Sequence, residues 1–151
     1  MLRRLGKKDP QKYLPYFPER VTTFVDMFMG TGSITFAMLN RAKYIYANDN
    51  DKNVFNLFMV VKNKREELIE SLKLLPYHEG VFNYWKEHEE IDDVWAATRF
   101  LMLSNFGYLG KPDNLRFVPS ARKTVLLSEL VSFNFSENIQ FMDSDLSLIH
   151  I

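Results

Sequence analysis

The stretch Val21–Asn40, VTTFVDMFMGTGSITFAMLN, limits what this chain can fold into more than any other. Val21 to Phe28 is β-branched and aromatic, which suits a buried strand. Gly30 and Gly32 bracket Thr31, a spacing for backbone that turns sharply or approaches a ligand closely. From Ser33 onward, Ile34, Ala37, Met38 and Arg41 follow a helical period, predicting a helix with one apolar face to about Ala42. The unit is therefore strand, glycine turn, helix. It presents backbone N–H groups and a positive helix end at the C-terminal edge of a strand, where α/β sheets bind their ligands.

The rest of the chain repeats this alternation. A basic turn and a short helix around Pro10–Tyr16 precede the first strand. Lys43–Ala47 reads as a second strand, and the polar run Asn48-Asp49-Asn50-Asp51 caps a helix through Val54, Leu57, Phe58 and Val61. Helices are predicted over Arg65–Leu75, Val81–His88, Val94–Leu103 and Lys123–Phe133, with a third strand at Ile139–Met142. Asn105–Ser120 carries Gly107, Gly110, Pro112 and Pro119, too many breakers for a long element. Strands separated by helices imply a parallel sheet with right-handed crossovers, interrupted by a largely helical insertion at about 76–120.

Composition narrows the function classes. With 151 residues and 46% apolar side chains, the chain can bury a core, and no apolar run approaches a membrane span. There are no cysteines, which excludes disulfides and thiolate metal sites and fits an intracellular protein. The opening MLRRLGKKDP is basic with no apolar segment behind it, unlike a secretory signal. Net charge is zero but unevenly spread. Arg3, Arg4, Lys7, Lys8 and Lys12 form one basic group, and Lys111, Arg116, Arg122 and Lys123 a second. Either can face phosphate, and either can be plain solvated surface. Between them lies the acidic run EHEEIDD, read as a solvated helix face or boundary. His78, His88 and His150 are scattered, away from metal-ligand spacing, and read as surface residues.

The glycine turn is an incomplete dinucleotide fingerprint, because Thr35 stands where the third glycine belongs. A tight structural turn fits the same spacing. Two carboxylates sharpen the reading. Asp49 follows the second strand, where a carboxylate accepts hydrogen bonds from both ribose hydroxyls of an adenosine-containing ligand. Asp26 ends the first strand beside the turn. There it would repel a pyrophosphate and attract an ammonium or sulfonium, which favours S-adenosylmethionine over NAD.

Taken in order, RRLGKK, FVDMFMGTGSI and NDND resemble the Dam-like family of DNA adenine-N6 methyltransferases. Gly6, Lys7 and Lys8 match its opening Gly-x-Lys element, with Lys7 at a place usually held by Gly, Ser or Asn. Asp26, Phe28, Gly30 and Gly32 match its cofactor loop, and Asn48 and Asp49 its Asn-Asp after strand two. LSNFGYLGKPDNLRF resembles, in permuted order, its Phe-Asn-Gly loop and the basic and aromatic residues of a DNA-facing insertion. IQFMDSD resembles its third strand, with Asp145, or else Asp143, as the closing carboxylate.

The resemblance implies a partial Rossmann-like S-adenosylmethionine-dependent methyltransferase fold, α/β, with three parallel strands in the order 3-2-1. It implies that residues 1–145 are the cofactor-binding part of such a domain, in a cytoplasmic protein encoded by a bacterium or phage. It assigns the cofactor's methionine end to Asp26, Phe28, Gly30 and Gly32, the ribose to Asp49, and the adenine to Asp145. Asn50 would lie against the adenine face and Lys8 would support the site. Phe28 lines the methionine pocket or packs in the core. Tyr108, Lys111 and Arg116 would contact double-stranded DNA by stacking and phosphate pairing.

One family motif does not occur in these 151 residues: Asp-Pro-Pro-Tyr, which accepts hydrogen bonds from the target amine and stacks on the flipped adenine. The expectation is therefore a chain that holds cofactor but has no catalytic residues of its own. The final LSLIHI resembles a translated transposon-end adapter, so Asp145 is expected to be the last native residue. An exposed edge on the first strand is then expected to promote dimerisation or aggregation. Two alternatives stand beside this: a non-catalytic cofactor-binding subunit completed by a second chain, and an NAD-dependent Rossmann enzyme.

Overall fold

The computed structural model describes residues 9–76, 78–108, 111–115, 121–133, 135 and 137–145, with backbone alone for 107, 108, 111–115 and 121. The chain divides into two compact units, Gly6–Phe55 with Phe135–Ile151, and Met1–Leu5 with Asn56–Asn134. Among the described residues no helix is long and apolar enough to cross a membrane.

The first unit holds a parallel sheet of β1 (Val21–Asp26), β2 (Ala42–Asn48) and β5 (Ile139–Met142), with β2 in the middle. β1 pairs with β2 from Val21↔Ala42 to Asp26↔Ala47, and β2 with β5 from Ile45↔Ile139 to Asn48↔Met142. The expected strand order therefore holds, and the register brings all three C-terminal ends to one edge. Because side chains alternate along a strand, this register also sorts them by face. Ile45, Ala47, Ile139 and Phe141 are buried on one side. The other side carries Val25, Tyr44 and Tyr46, which are 48%, 45% and 36% exposed.

α1 (Pro10–Tyr13) and a 3-10 turn at Leu14–Tyr16 precede β1, as the prolines suggest. Phe17 sets its ring edge-on to Phe24 of β1 at 5.7 Å. Two expectations near the glycine turn are corrected. β1 ends at Asp26, so Met27 and Phe28 belong to the turn rather than to the strand. The following helix, α2, spans only Ser33–Ala37 instead of reaching Ala42. Its Thr35 and Phe36 are poor helix formers. The chain must also turn at once to enter β2, and Arg41 N–H closes that turn on Met38 O at 2.9 Å. A helix this short contributes little dipole, so the ligand-facing character of the turn rests on its backbone and carboxylates.

The other unit is built mainly from helices: the C-terminal part of α3 (Lys52–Asn63), then α4 (Arg65–Leu74), α5 (Glu79–Glu87), α6 (Asp93–Phe106) and α7 (Ala121–Ser132). Leu57, Phe58, Leu68, Leu72, Leu101, Met102, Leu126 and Leu130 are fully buried. Each of these helices is expected from the sequence, although α6 is buried all round in its last turns, from Leu101 to Phe106, rather than along one face. The breaker-rich segment after α6 is not wholly irregular. It forms a short antiparallel pair, β3 (Gly107–Tyr108) with β4 (Lys111–Leu115). Its residues are few and turn-prone, so tertiary pairing rather than strand propensity decides it.

The acidic run closes off helices. Trp85 Nε1 donates to Glu90 at 2.6 Å, and Trp95 N–H donates to the Asp92 carboxylate at 2.9 Å at the start of α6. Lys64 meets Asp93 at 2.8 Å. His78 caps α5, its Nδ1 accepting from Gly80 N–H at 3.0 Å, and His88 stacks on Tyr84 with centroids 4.1 Å apart. Both histidines are exposed; His150 lies outside the described residues.

The hydrogen bond from Lys64 holds the Asp93 carboxyl below its ordinary 3.8, against an opposing desolvation, and the same bond raises Lys64 above 10.5. Linkage gives the signs. Asp93 contributes stability above the unfolded carboxyl pKa and loses it as pH falls through the lowered folded value. Lys64 contributes below its unfolded pKa and loses it as pH rises through the raised one. Asp93→Asn should therefore lower the melting temperature at neutral pH. By differential scanning calorimetry, that difference should vanish in strong acid and shrink in molar salt.

Candidate functional site

The site residues gather where the three strands end. Met29 N–H donates to Asn48 O at 2.8 Å, and Asp49 N–H donates to Met142 O at 3.2 Å. Asn48 completes the stitching from inside. Its side chain is buried, Nδ2 donates to Met27 O (3.2 Å) and Ser144 O (3.0 Å), and Oδ1 accepts from Ser144 N–H (2.9 Å). One amide thus fastens the exits of β1 and β5 to the end of β2. In the sequence Asn48 stands only as half of a motif. Its signal there is a carboxamide at a strand end, where unpaired backbone groups need a partner.

The turn itself is held by two carboxylates. Asp49 reaches across from β2 so that Gly30 N–H donates to Oδ2 at 2.6 Å, while Asp51 N–H donates to Oδ1 at 3.0 Å. Asp26 sits at the other flank: Phe28 N–H donates to Oδ1 at 3.3 Å and the Thr35 hydroxyl to Oδ2 at 2.6 Å. Both carboxylates are half-buried, and each oxygen keeps a lone pair beyond the bond it already accepts. So the two acids singled out from sequence flank one turn.

Both glycines adopt positive φ, +52° at Gly30 and +71° at Gly32, which explains their placement. Gly32 has a second reason. A Cβ there would collide with the Phe36 ring, so the missing side chain lets that ring lie over the turn. The ring is anchored by Phe135 at 5.8 Å, which contacts Phe141 of β5 at 5.4 Å. Thr31 and Ser33 share a hydroxyl hydrogen bond at 2.8 Å across Gly32.

The other predicted residues divide. Phe28 projects from the turn with 77% of its surface exposed, so of its two sequence readings core packing is ruled out. Asn50 is exposed just beyond Asp49, and Asp143 and Asp145 are exposed on the segment after β5 that Asn48 holds. Tyr108 and Lys111 face each other as register partners at the tip of the β3–β4 pair. Asn105 and Phe106 of the permuted loop are buried, with Asn105 Nδ2 donating to Leu101 O at 2.9 Å and Oδ1 accepting from Arg122 at 2.6 Å. Lys8, its neighbours Gly6 and Lys7, Arg116 and the tail 146–151 lie outside the described residues.

A family model, D12 class N6 adenine-specific DNA methyltransferase, matches residues 11–135. The chain belongs to that family. No curated protein matches it. Membership in the D12 class accounts for the parallel sheet with its glycine turn and makes this a chain of an adenine-specific DNA methyltransferase, as the motif order implies. Thr35, which the sequence shows only as a missing glycine, is the D12 chain's fully buried partner of Asp26.

The geometry ranks the two glycines. Gly30→Ala meets only the left-handed backbone strain, about 1 kcal/mol. Gly32→Ala adds displacement of the Phe36 ring and should cost roughly 2–4 kcal/mol. Urea unfolding of both variants beside wild type should give that order.

Proposed function

We propose that this chain holds S-adenosylmethionine at the strand ends, for methyl transfer to the N6 of adenine in double-stranded DNA. What carries the reading is the pair of carboxylates on one turn, Asp49 bonded to Gly30 N–H and Asp26 on the opposite flank. Asp49 keeps acceptor capacity for both ribose hydroxyls. Asp26, without a cationic partner among the described residues, offers its charge to the cofactor's methionine end. The same charge disfavours a dinucleotide: two like charges 4 Å apart repel by about 4 kcal/mol at an effective dielectric constant of 20. Phe28 supplies an exposed ring beside the methionine end, Gly30 and Gly32 the turn, Asn50 and Asp145 the adenine side, and Lys8 support.

When bound, the cofactor supplies an electrophilic methyl group for direct displacement, without a metal. The chain's residues bind and orient. No Asp-Pro-Pro-Tyr, the motif that would align the target amine, occurs in these 151 residues, so the role assigned to this chain is cofactor binding. Tyr108, Lys111 and Arg116 are assigned to DNA contact.

A reading in which a second polypeptide segment completes the sheet draws support from two observations. β1 has a strand on one edge only among the described residues, and Val25, Tyr44 and Tyr46 stand exposed on one sheet face. Parallel sheets are ordinarily covered on both faces, and bare edges recruit strands. The isolated chain is therefore expected to self-associate in sedimentation velocity runs at rising concentration, and Val25→Lys to reduce this. A concentration-independent monomer would count against it.

The cofactor assignment is tested by calorimetric titration with S-adenosylmethionine and with NAD. S-adenosylmethionine should bind and NAD should not, and Asp49→Ala should weaken binding by at least about tenfold. Tighter binding of NAD, or an Asp49→Ala variant that binds as well as wild type, would overturn it.

A further inference from the structure

We infer that Thr35 is a positioning residue that makes the site selective for a cationic cofactor. This rests on the cofactor reading above and goes beyond it by naming what fixes the charge of Asp26 in place. Thr35 is fully buried, and its hydroxyl donates to Asp26 Oδ2 at 2.6 Å. Among the described residues, the other carboxylate oxygen accepts the longer bond from Phe28 N–H, at 3.3 Å, within a turn. The hydroxyl bond, short and charge-assisted, is thus the stronger of the two restraints. It comes from a fully buried β-branched side chain, whose χ1 is restricted and whose surroundings leave it little room to move.

The position gives this bond its meaning. A dinucleotide fingerprint has glycine here, which removes the side chain so that helix and strand pack closely. In this chain the position carries a hydroxyl that reaches back to the end of β1. One substitution thereby replaces a neutral packing contact with a device that keeps a negative charge at the turn. With Thr35 in place, Asp26 is preset to meet a sulfonium or ammonium and needs no reorganisation when it does. Without the hydroxyl the carboxylate can swing away, and the turn loses its preference for positive charge while keeping its shape.

The test compares two ligands that share adenosine but differ in charge. S-adenosylmethionine carries the sulfonium and ammonium; 5′-methylthioadenosine carries neither. Thr35→Val keeps the shape and removes the hydroxyl, and Thr35→Ser keeps the hydroxyl. Calorimetric titration of wild type and both variants gives the ratio of the two affinities in each. Thr35→Val should lose about tenfold in affinity for S-adenosylmethionine while 5′-methylthioadenosine binding stays within about twofold. Thr35→Ser should restore the wild-type ratio. Loss of fold would weaken both ligands together and leave the ratio unchanged, so the ratio separates positioning from stability, and melting temperatures of the free proteins check the same point. A Thr35→Val variant that melts like wild type and gives the wild-type ratio, with wild type binding both ligands, overturns the role of Thr35 alone. If wild type binds neither ligand, the cofactor reading falls and this inference falls with it.

Discussion

The Asp49 carboxylate, reaching from the end of β2 to the Gly30 amide, is the bond on which the arrangement of the site depends. A glycine turn in left-handed conformation is not stable by local preference alone, because it points several N–H groups outward with few partners. Here the neighbouring strand supplies them: Asp49 accepts from Gly30 N–H and Asn48 O from Met29 N–H, while the Asn48 side chain donates to the carbonyls of Met27 and Ser144. Each such bond contributes roughly 1 kcal/mol net. Together they convert three separate chain ends into one surface.

Asp49 ties the glycine turn through Oδ2 and the segment leading into α3 through Oδ1, so its removal loosens both. Asp26 is handled differently. Its Oδ2 accepts from the buried Thr35 hydroxyl. The two carboxylates share a neighbourhood but differ in role, since one is tied to backbone amides and the other to a buried hydroxyl.

The helical unit shows another balance. Its core is aliphatic and aromatic side chains, and Asp92 caps the start of α6. The acidic run that looks conspicuous in the sequence is taken up by caps, by Trp85 and by Lys64. Asn105, in the segment resembling a recognition loop, is likewise drawn inward to Arg122 and the end of α6. Charge and motif in a linear sequence do not reveal which groups the helices will use for their own ends.

By itself the sequence determined the strand–turn–helix unit, the order of the sheet, the helices between β2 and β5, and the two acids beside the turn. Those depend on periodicity, glycine conformation and charge, all of which are local. Tertiary structure decided how long α2 is, that a short strand pair follows α6, and that Phe28 stands exposed. It also decided that Asn48 and Thr35, two inconspicuous polar residues, hold the site together. Their partners lie from nine to ninety-six positions away along the chain, and a hydrogen bond between distant residues leaves no periodic trace.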